Sequence, residues 1–177
     1  LAYGVRFGDA DIGHHIVTVT EDARGLIRIE HQRTLRVRLF FVTAYERELH
    51  STEYWDAGPI LVEIDSHEVK NGDFSHVTAK RRDTVLRGKG PNGHFETAED
   101  VATTESLWVR LAMEKPTLLD TYAGEIDRAV ITSLGQSRWR VDRGEKGHAD
   151  LTFGGDFLAH GRITADNQTI ELARATA

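Results

Sequence analysis

The sequence predicts an all-β, mainly antiparallel fold: a curved sheet, or an open or closed β-barrel, of about nine or ten strands with one short helix. Three observations carry this expectation. Apolar and polar residues alternate with a period of two through most of the chain, turn-forming clusters recur between the alternating runs, and one stretch alone has helical spacing. Small all-β chains curl their sheets to reduce exposed edges, and a curled sheet encloses a core or a cavity.

The elements follow in order. Tyr3, Val5 and Phe7 share one face of a first strand, which Gly8-Asp9-Ala10-Asp11 turns back. Val17 and Val19 lie on one face of the second strand and Ile27 and Ile29 on the third, joined by Glu21-Asp22-Ala23-Arg24-Gly25, where Gly25 can adopt a left-handed conformation. Leu35, Val37, Leu39 and Phe41 continue the apolar side, with Arg36 and Arg38 opposite. Asp56-Ala57-Gly58-Pro59 separates a strand ending near Trp55 from one covering about residues 60–69, and Asn71-Gly72 is a strong hairpin signal. Gly88-Lys89-Gly90-Pro91-Asn92-Gly93 reads as a mobile loop because of its Gly and Pro content. Leu107, Trp108 and Leu111 fall at i, i+1 and i+4, which predicts a short helix over about residues 103–114, ended by Pro116. Alternation returns at 126–134, 139–141, 149–153, 158–163 and 169–172.

No linker or repeat divides residues 1–177, so a single domain is expected. The 40% apolar and 28% charged composition excludes a disordered chain or a coiled coil. No apolar run approaches the roughly 20 residues of a membrane-spanning helix. A net charge of −6 argues against a nucleic-acid partner, and the one basic cluster, Lys80-Arg81-Arg82, reads as a solvated strand end. The absence of cysteine excludes disulfides, thiolate metal sites and a Cys nucleophile, and it fits an exported protein. The chain opens at Leu1 and enters a strand pattern at once, as expected after removal of a signal peptide, so a periplasmic or secreted location is expected.

Nine histidines are the most unusual feature. Either register of the hairpin around Gly25 places His15 and His31 on the same apolar face, directly opposite or one diagonal step apart. A two-residue turn at Asn71-Gly72 sets His67 opposite His76. His15 interrupts an otherwise apolar face, which suits a satisfied core histidine, a polar anchor or a general base inside a cavity. Glu53 lies two residues before Trp55 on a face shared with Tyr45, Arg47, Leu49 and Ser51. It can act as an acid or base beside the indole, or pair with Arg47 on a solvated surface. Trp108 and Trp139 suit core aromatics or the wall of a pocket. Metal spacing is absent: there is no H-E-x-x-H and no H-x-H, adjacent His14 and His15 point to opposite faces, and His67 and His76 are the nearest approach to a site. Nucleophile-elbow, P-loop and dinucleotide motifs are also absent, so no metal and no cofactor is expected. Asn167-Gln168-Thr169 is a formal glycosylation sequon.

Several segments together resemble a known family. These are Tyr3-Gly4-Val5 with Ile12-Gly13-His14-His15, Glu53-Tyr54-Trp55-Asp56-Ala57-Gly58, Asn71-Gly72, Thr103-Thr104 with Trp108, residues 118–125, and Gly161-Arg162-Ile163-Thr164. Spanning nearly the whole chain, they are similar to a family of exported bacterial proteins known as domain of unknown function 6134. The resemblance implies a signal peptide and a curved antiparallel sheet related to the open barrels of periplasmic lipoprotein carriers. It carries over no catalytic residue; His15, Glu53, Trp55 and Trp108 match its recurrent positions, and Tyr45 stands where it has a tyrosine-rich strand.

The expected function is an exported binding protein that holds a hydrophobic or amphipathic small molecule in its barrel cavity. His15, His31, Tyr45, Glu53, Trp55 and Trp108 are the candidate ligand-binding residues, and the short helix would plug or cover the opening. The alternative is a cofactor-independent isomerase, cyclase or lyase using His15 or Glu53 as acid or base. A third possibility is a structural envelope protein that binds another chain at a sheet edge.

Overall fold

The structure, a computed structural model, describes residues 1–39, 42–165 and 168–175. The expectation for Phe41 and the sequon residue Asn167 therefore lie outside the described residues. The strands are β1 (Ala2–Phe7), β2 (Ala10–Glu21), β3 (Ile27–Leu39), β4 (Val42–Trp55), β5 (Leu61–Lys70), β6 (Asp73–Arg82), β7 (Val85–Gly90) and β8 (Gly93–Thr97). They continue as β9 (Val101–Thr103), β10 (Thr117–Asp120), β11 (Glu125–Arg128), β12 (Val130–Gly135), β13 (Arg138–Asp142), β14 (His148–Gly154), β15 (Phe157–Ala165) and β16 (Gln168–Arg174).

Thirteen strands form one antiparallel sheet in the order β12-β13-β14-β15-β16-β1-β2-β3-β4-β5-β6-β7-β8, and β11-β10-β9 form a second. Nearly every step is a hairpin; the exception is β16 against β1, which joins the two ends of the chain. Laid flat at about 4.8 Å per strand, thirteen strands would span nearly 60 Å. Instead Val77 and Leu86 of β6 and β7 share one core with Val141, Leu151 and Leu158 of β13–β15. The sheet must therefore curl, and it does so without closing, leaving β8 and β12 as edges. Val101, Ala102, Leu118 and Leu119 of the small sheet are buried in that same core, so the small sheet fills the concave side. The predicted all-β curved-sheet class is the observed one.

Three local readings differ from the structure. The predicted helix is two 3-10 turns, at Ser106–Trp108 and Arg110–Glu114. Val109 between them is extended and bridges to Phe157, and the amide of Arg110 donates to Asp156, so one continuous helix cannot form. The Gly-rich stretch is not a mobile loop but the β7–β8 hairpin, turning at Pro91-Asn92. Its glycines serve close approach. A Cβ on Gly88 would sit 2.4 Å from the Phe95 ring and from the Thr78 carbonyl oxygen, and one on Gly90 would sit 2.7 Å from the Cα of Gly124. The alternating run at 126–134 is two strands, β11 and β12, which part at Ala129 to join different sheets. These hairpins and splits bring the strands to sixteen among the described residues, above the nine or ten expected.

Candidate functional site

The inward faces of β2–β5 combine apolar and polar side chains. His15 pairs in register with Arg33, and Val17 with His31, so the two histidines stand one diagonal step apart. His31 faces Ser51, which faces Ser66, and Ile29 faces Glu53. All of these except Arg33 are buried, and Glu53 is 0% exposed.

His15 Nε2 lies 3.3 Å from His31 Nδ1, and His31 Nε2 lies 3.6 Å from Glu53 Oε1. Glu53 accepts hydrogen bonds from Trp55 Nε1–H at 2.8 Å, from the Ser106 hydroxyl at 3.1 Å and from the Thr103 hydroxyl. An acceptor at one end of the chain orders the protons along it. The tautomer with the proton on His31 Nε2, which faces the Glu53 carboxylate just beyond hydrogen-bond length, leaves Nδ1 to accept from His15 Nε2–H. Burial, then the Arg33 guanidinium, lowers His15 to about 3 against the opposing pull of Glu105. Burial also lowers His31, with Glu53 opposing, so both imidazoles are neutral at pH 7.

Two ion pairs adjoin the histidines. Arg33 forms a fork with Glu105 at 2.8 and 3.0 Å, and Arg47 binds both carboxylate oxygens of Glu68. Burial alone would raise Glu105; the Arg33 guanidinium, supported by His15 and Arg47, overrides it and holds Glu105 at about 2. Arg47 is therefore not the partner of Glu53. Six residues apart on one strand, they stand about 20 Å from each other, so the solvated Glu53–Arg47 pair is excluded.

An apolar pocket of about 190 Å³ opens where the β2–β3 and β4–β5 turns lie, walled by Ile27, Ile29, Trp55, Trp108, Leu111 and Phe157. Ser106, Asp56 and Lys115 also border it, yet the surface it presents is almost wholly apolar. Trp108 stacks on Phe157 (centroids 6.0 Å apart, rings 8° from parallel) and meets His31 in a T-shaped contact with centroids 5.8 Å apart. Its indole thus stands between the pocket and the histidines. Toward the other end of the strands, about 26 Å along β4, a charged cleft of about 410 Å³ is lined by Arg33, Arg47, Lys70, Glu105, Tyr122 and Arg143. The segment 104–108 walls both spaces: Thr104, Glu105 and Leu107 face the cleft, Ser106 and Trp108 the pocket.

The candidate residues are thus dispersed. Trp55 and Trp108 line the pocket; His15, His31 and Glu53 form the buried chain behind it. Tyr45 packs on a separate small core of Val5, Ile12, Leu35 and Leu172. His67 and His76 face each other on the outward side of β5 and β6.

The family model described as Domain of unknown function (DUF6134) matches residues 3–173. The chain belongs to that family. A crystal structure of a beta-barrel-like protein of domain of unknown function DUF1849 from Brucella abortus is similar in fold, with a TM-score of 0.64 at 10% identity over 99% of this chain and 94% of that one. No curated protein matches the sequence. Segments that carry the family resemblance meet at the polar core: Glu53 and Trp55 bond one another, Thr103 bonds Glu53, and Thr104 bonds Thr121 at 3.0 Å.

Sequence reasoning missed Arg33, Glu68, Thr103, Glu105 and Ser106. Arg33 carries a signal, because it shares the inward side of β3 with His31. Glu68 also carries one, since the Asn71-Gly72 register places it on the face of Ile64. Glu105 carries none: it lies in the turn after β9, and its partner is 72 residues away on the large sheet.

Proposed function

We propose that this chain is an exported binding protein that takes the apolar part of a hydrophobic or amphipathic small molecule into the pocket between Trp55 and Trp108. The supporting observation is the pocket itself, an almost wholly apolar concavity walled by two indoles and Phe157. At about 190 Å³ it is smaller than the roughly 300–1,000 Å³ of sites that enclose a whole drug-sized ligand. It suits a ring or short chain, with the ligand's polar end left at the mouth in solvent. Trp108 Nε1 in this wall and Ser51 Oγ are buried without a hydrogen-bond partner, two polar atoms free to meet a polar group of the ligand. A chain without cysteine suits the oxidising surroundings of an exported protein. The enzyme alternative requires His15 or Glu53 at the pocket surface, whereas Trp55, Ser106 and Trp108 form the wall there.

Native mass spectrometry of protein purified from its own host, followed by denaturation, tests the reading. The expected result is a released apolar or amphipathic compound that is lost in Leu111→Lys, a change at a rim residue already 40% exposed. An empty protein that also fails to bind fluorescent alkyl probes, or equal retention by the variant, would overturn it.

A further inference from the structure

The outward face of β4–β6 carries a histidine cluster that the pocket does not use. His50 faces His67 across β4 and β5, and His67 faces His76 across β5 and β6. Asp65 lies two residues before His67 and shares its face. Its Oδ1 is 3.0 Å from His67 Nε2 and 2.9 Å from His76 Nε2. The two imidazoles stack, with centroids 4.0 Å apart and planes 17° from parallel. One carboxylate oxygen and two ring nitrogens therefore converge, all within 4.8 Å of one another.

We propose that Asp65, His67 and His76 form a binding site for a first-row divalent metal ion. Two imidazoles and a carboxylate are a donor set that such ions take readily. The rungs of the sheet bring the three side chains within reach of one ion, and the imidazoles turn out of their stack to aim both Nε2 lone pairs at it. Two imidazoles and one carboxylate with further positions left open suit octahedral or tetragonal ions such as Ni(II) and Cu(II) better than a closed tetrahedral Zn(II) site. On binding, the ion replaces the Nε2 protons, leaving each ring protonated on Nδ1. Asp65 and His67 are exposed and His76 is half-buried, so further coordination positions stay open to solvent or to His50 one strand away. Beside the cluster runs a polar groove of about 340 Å³, lined by His50, Asp65, His67, Arg28, Thr52 and Glu63 among others. The open positions at Asp65 and His67 border that groove.

The hairpin register shows the histidine pair in the sequence; what it leaves out is the third ligand, Asp65, a carboxylate two residues before His67 on the same face. Calorimetric titration of tag-free protein with Ni(II) and with Zn(II), paired with native mass spectrometry for stoichiometry, tests the proposal. The expected result is one Ni(II) per chain, bound more tightly than Zn(II). Affinity should fall at least about tenfold in His67→Gln, His76→Gln and Asp65→Asn, and stay unchanged in His94→Gln, an exposed histidine of β8. Circular dichroism verifies that these surface variants remain folded. Absent binding, or equal binding by the wild type and His76→Gln, would overturn the assignment.

Discussion

Replacing His15 with Gln should invert the order of stability between neutral and mildly acidic pH. The folded chain holds His15 at about 3, through burial first and the Arg33 guanidinium second. In the unfolded chain a histidine titrates near 6.5. Below about pH 6.5 the unfolded state therefore takes up a proton that the folded state refuses. Stability that is complete above 6.5 is lost as pH falls, down to the folded value near 3. Each pH unit in that window corresponds to about 1.4 kcal/mol per group, so His15 alone removes about 2 kcal/mol by pH 5. Glutamine cannot titrate, yet its amide nitrogen reaches roughly where Nε2 stood and can still donate to His31 Nδ1. Imperfect replacement of that hydrogen bond costs about 1 kcal/mol at pH 7.5. His15→Gln should thus be less stable than the wild type by about 1 kcal/mol at pH 7.5 and more stable by about 1 kcal/mol at pH 5. His31, also lowered by burial, contributes its own slope to both proteins. Urea unfolding followed by fluorescence of the buried Trp55 and Trp108 across pH 5–7.5 measures the crossing. Parallel pH profiles for the two proteins would refute the reasoning.

Other expectations follow from the same core. Glu53→Ala leaves the donors of Trp55, Thr103 and Ser106 without their acceptor. It should cost about 3 kcal/mol, a fall in Tm of roughly 6–12 °C by calorimetry, whereas Glu53→Gln keeps an acceptor oxygen and should cost less. Glu105 is held at about 2, below the ordinary 4.5, so its stabilisation is full above pH 4.5 and is lost as pH falls toward 2. That amounts to about 3 kcal/mol, and near-UV circular dichroism during acid titration should show a shallower acid limb for Glu105→Gln. A Cβ on Gly13 would lie 1.9 Å from the backbone oxygen of Thr34, so Gly13→Ala should cost at least about 3 kcal/mol in denaturant titration. Gly8→Ala, where φ is +58° and the Cβ meets nothing within 4 Å, should cost only about 1 kcal/mol.

The all-β class was legible because alternation with a period of two is a local property, written into each strand separately. The hairpin registers were legible for a related reason. Asn71 and Gly72 both adopt positive φ, the two-residue turn their identities favour, and that turn sets His67 opposite His76. The His15–His31 pair followed from the same arithmetic, within one diagonal step. What the tertiary structure alone decided involves elements distant in sequence. Glu53 is buried, and not paired with Arg47, because Thr103 and Ser106 arrive from another part of the chain and cover it. The helical spacing at Leu107–Leu111 yields to two short turns because Phe157, nearly fifty residues on, pairs with Val109. Gly88 and Gly90, which read locally as loop residues, belong to a hairpin because Phe95, Thr78 and Gly124 need the space that a side chain would fill. A sequence specifies dihedral preference and the direction of each side chain along a strand. Which distant surface closes over that side chain depends on how a thirteen-stranded sheet curls, and that curl is set by the packing of the whole core.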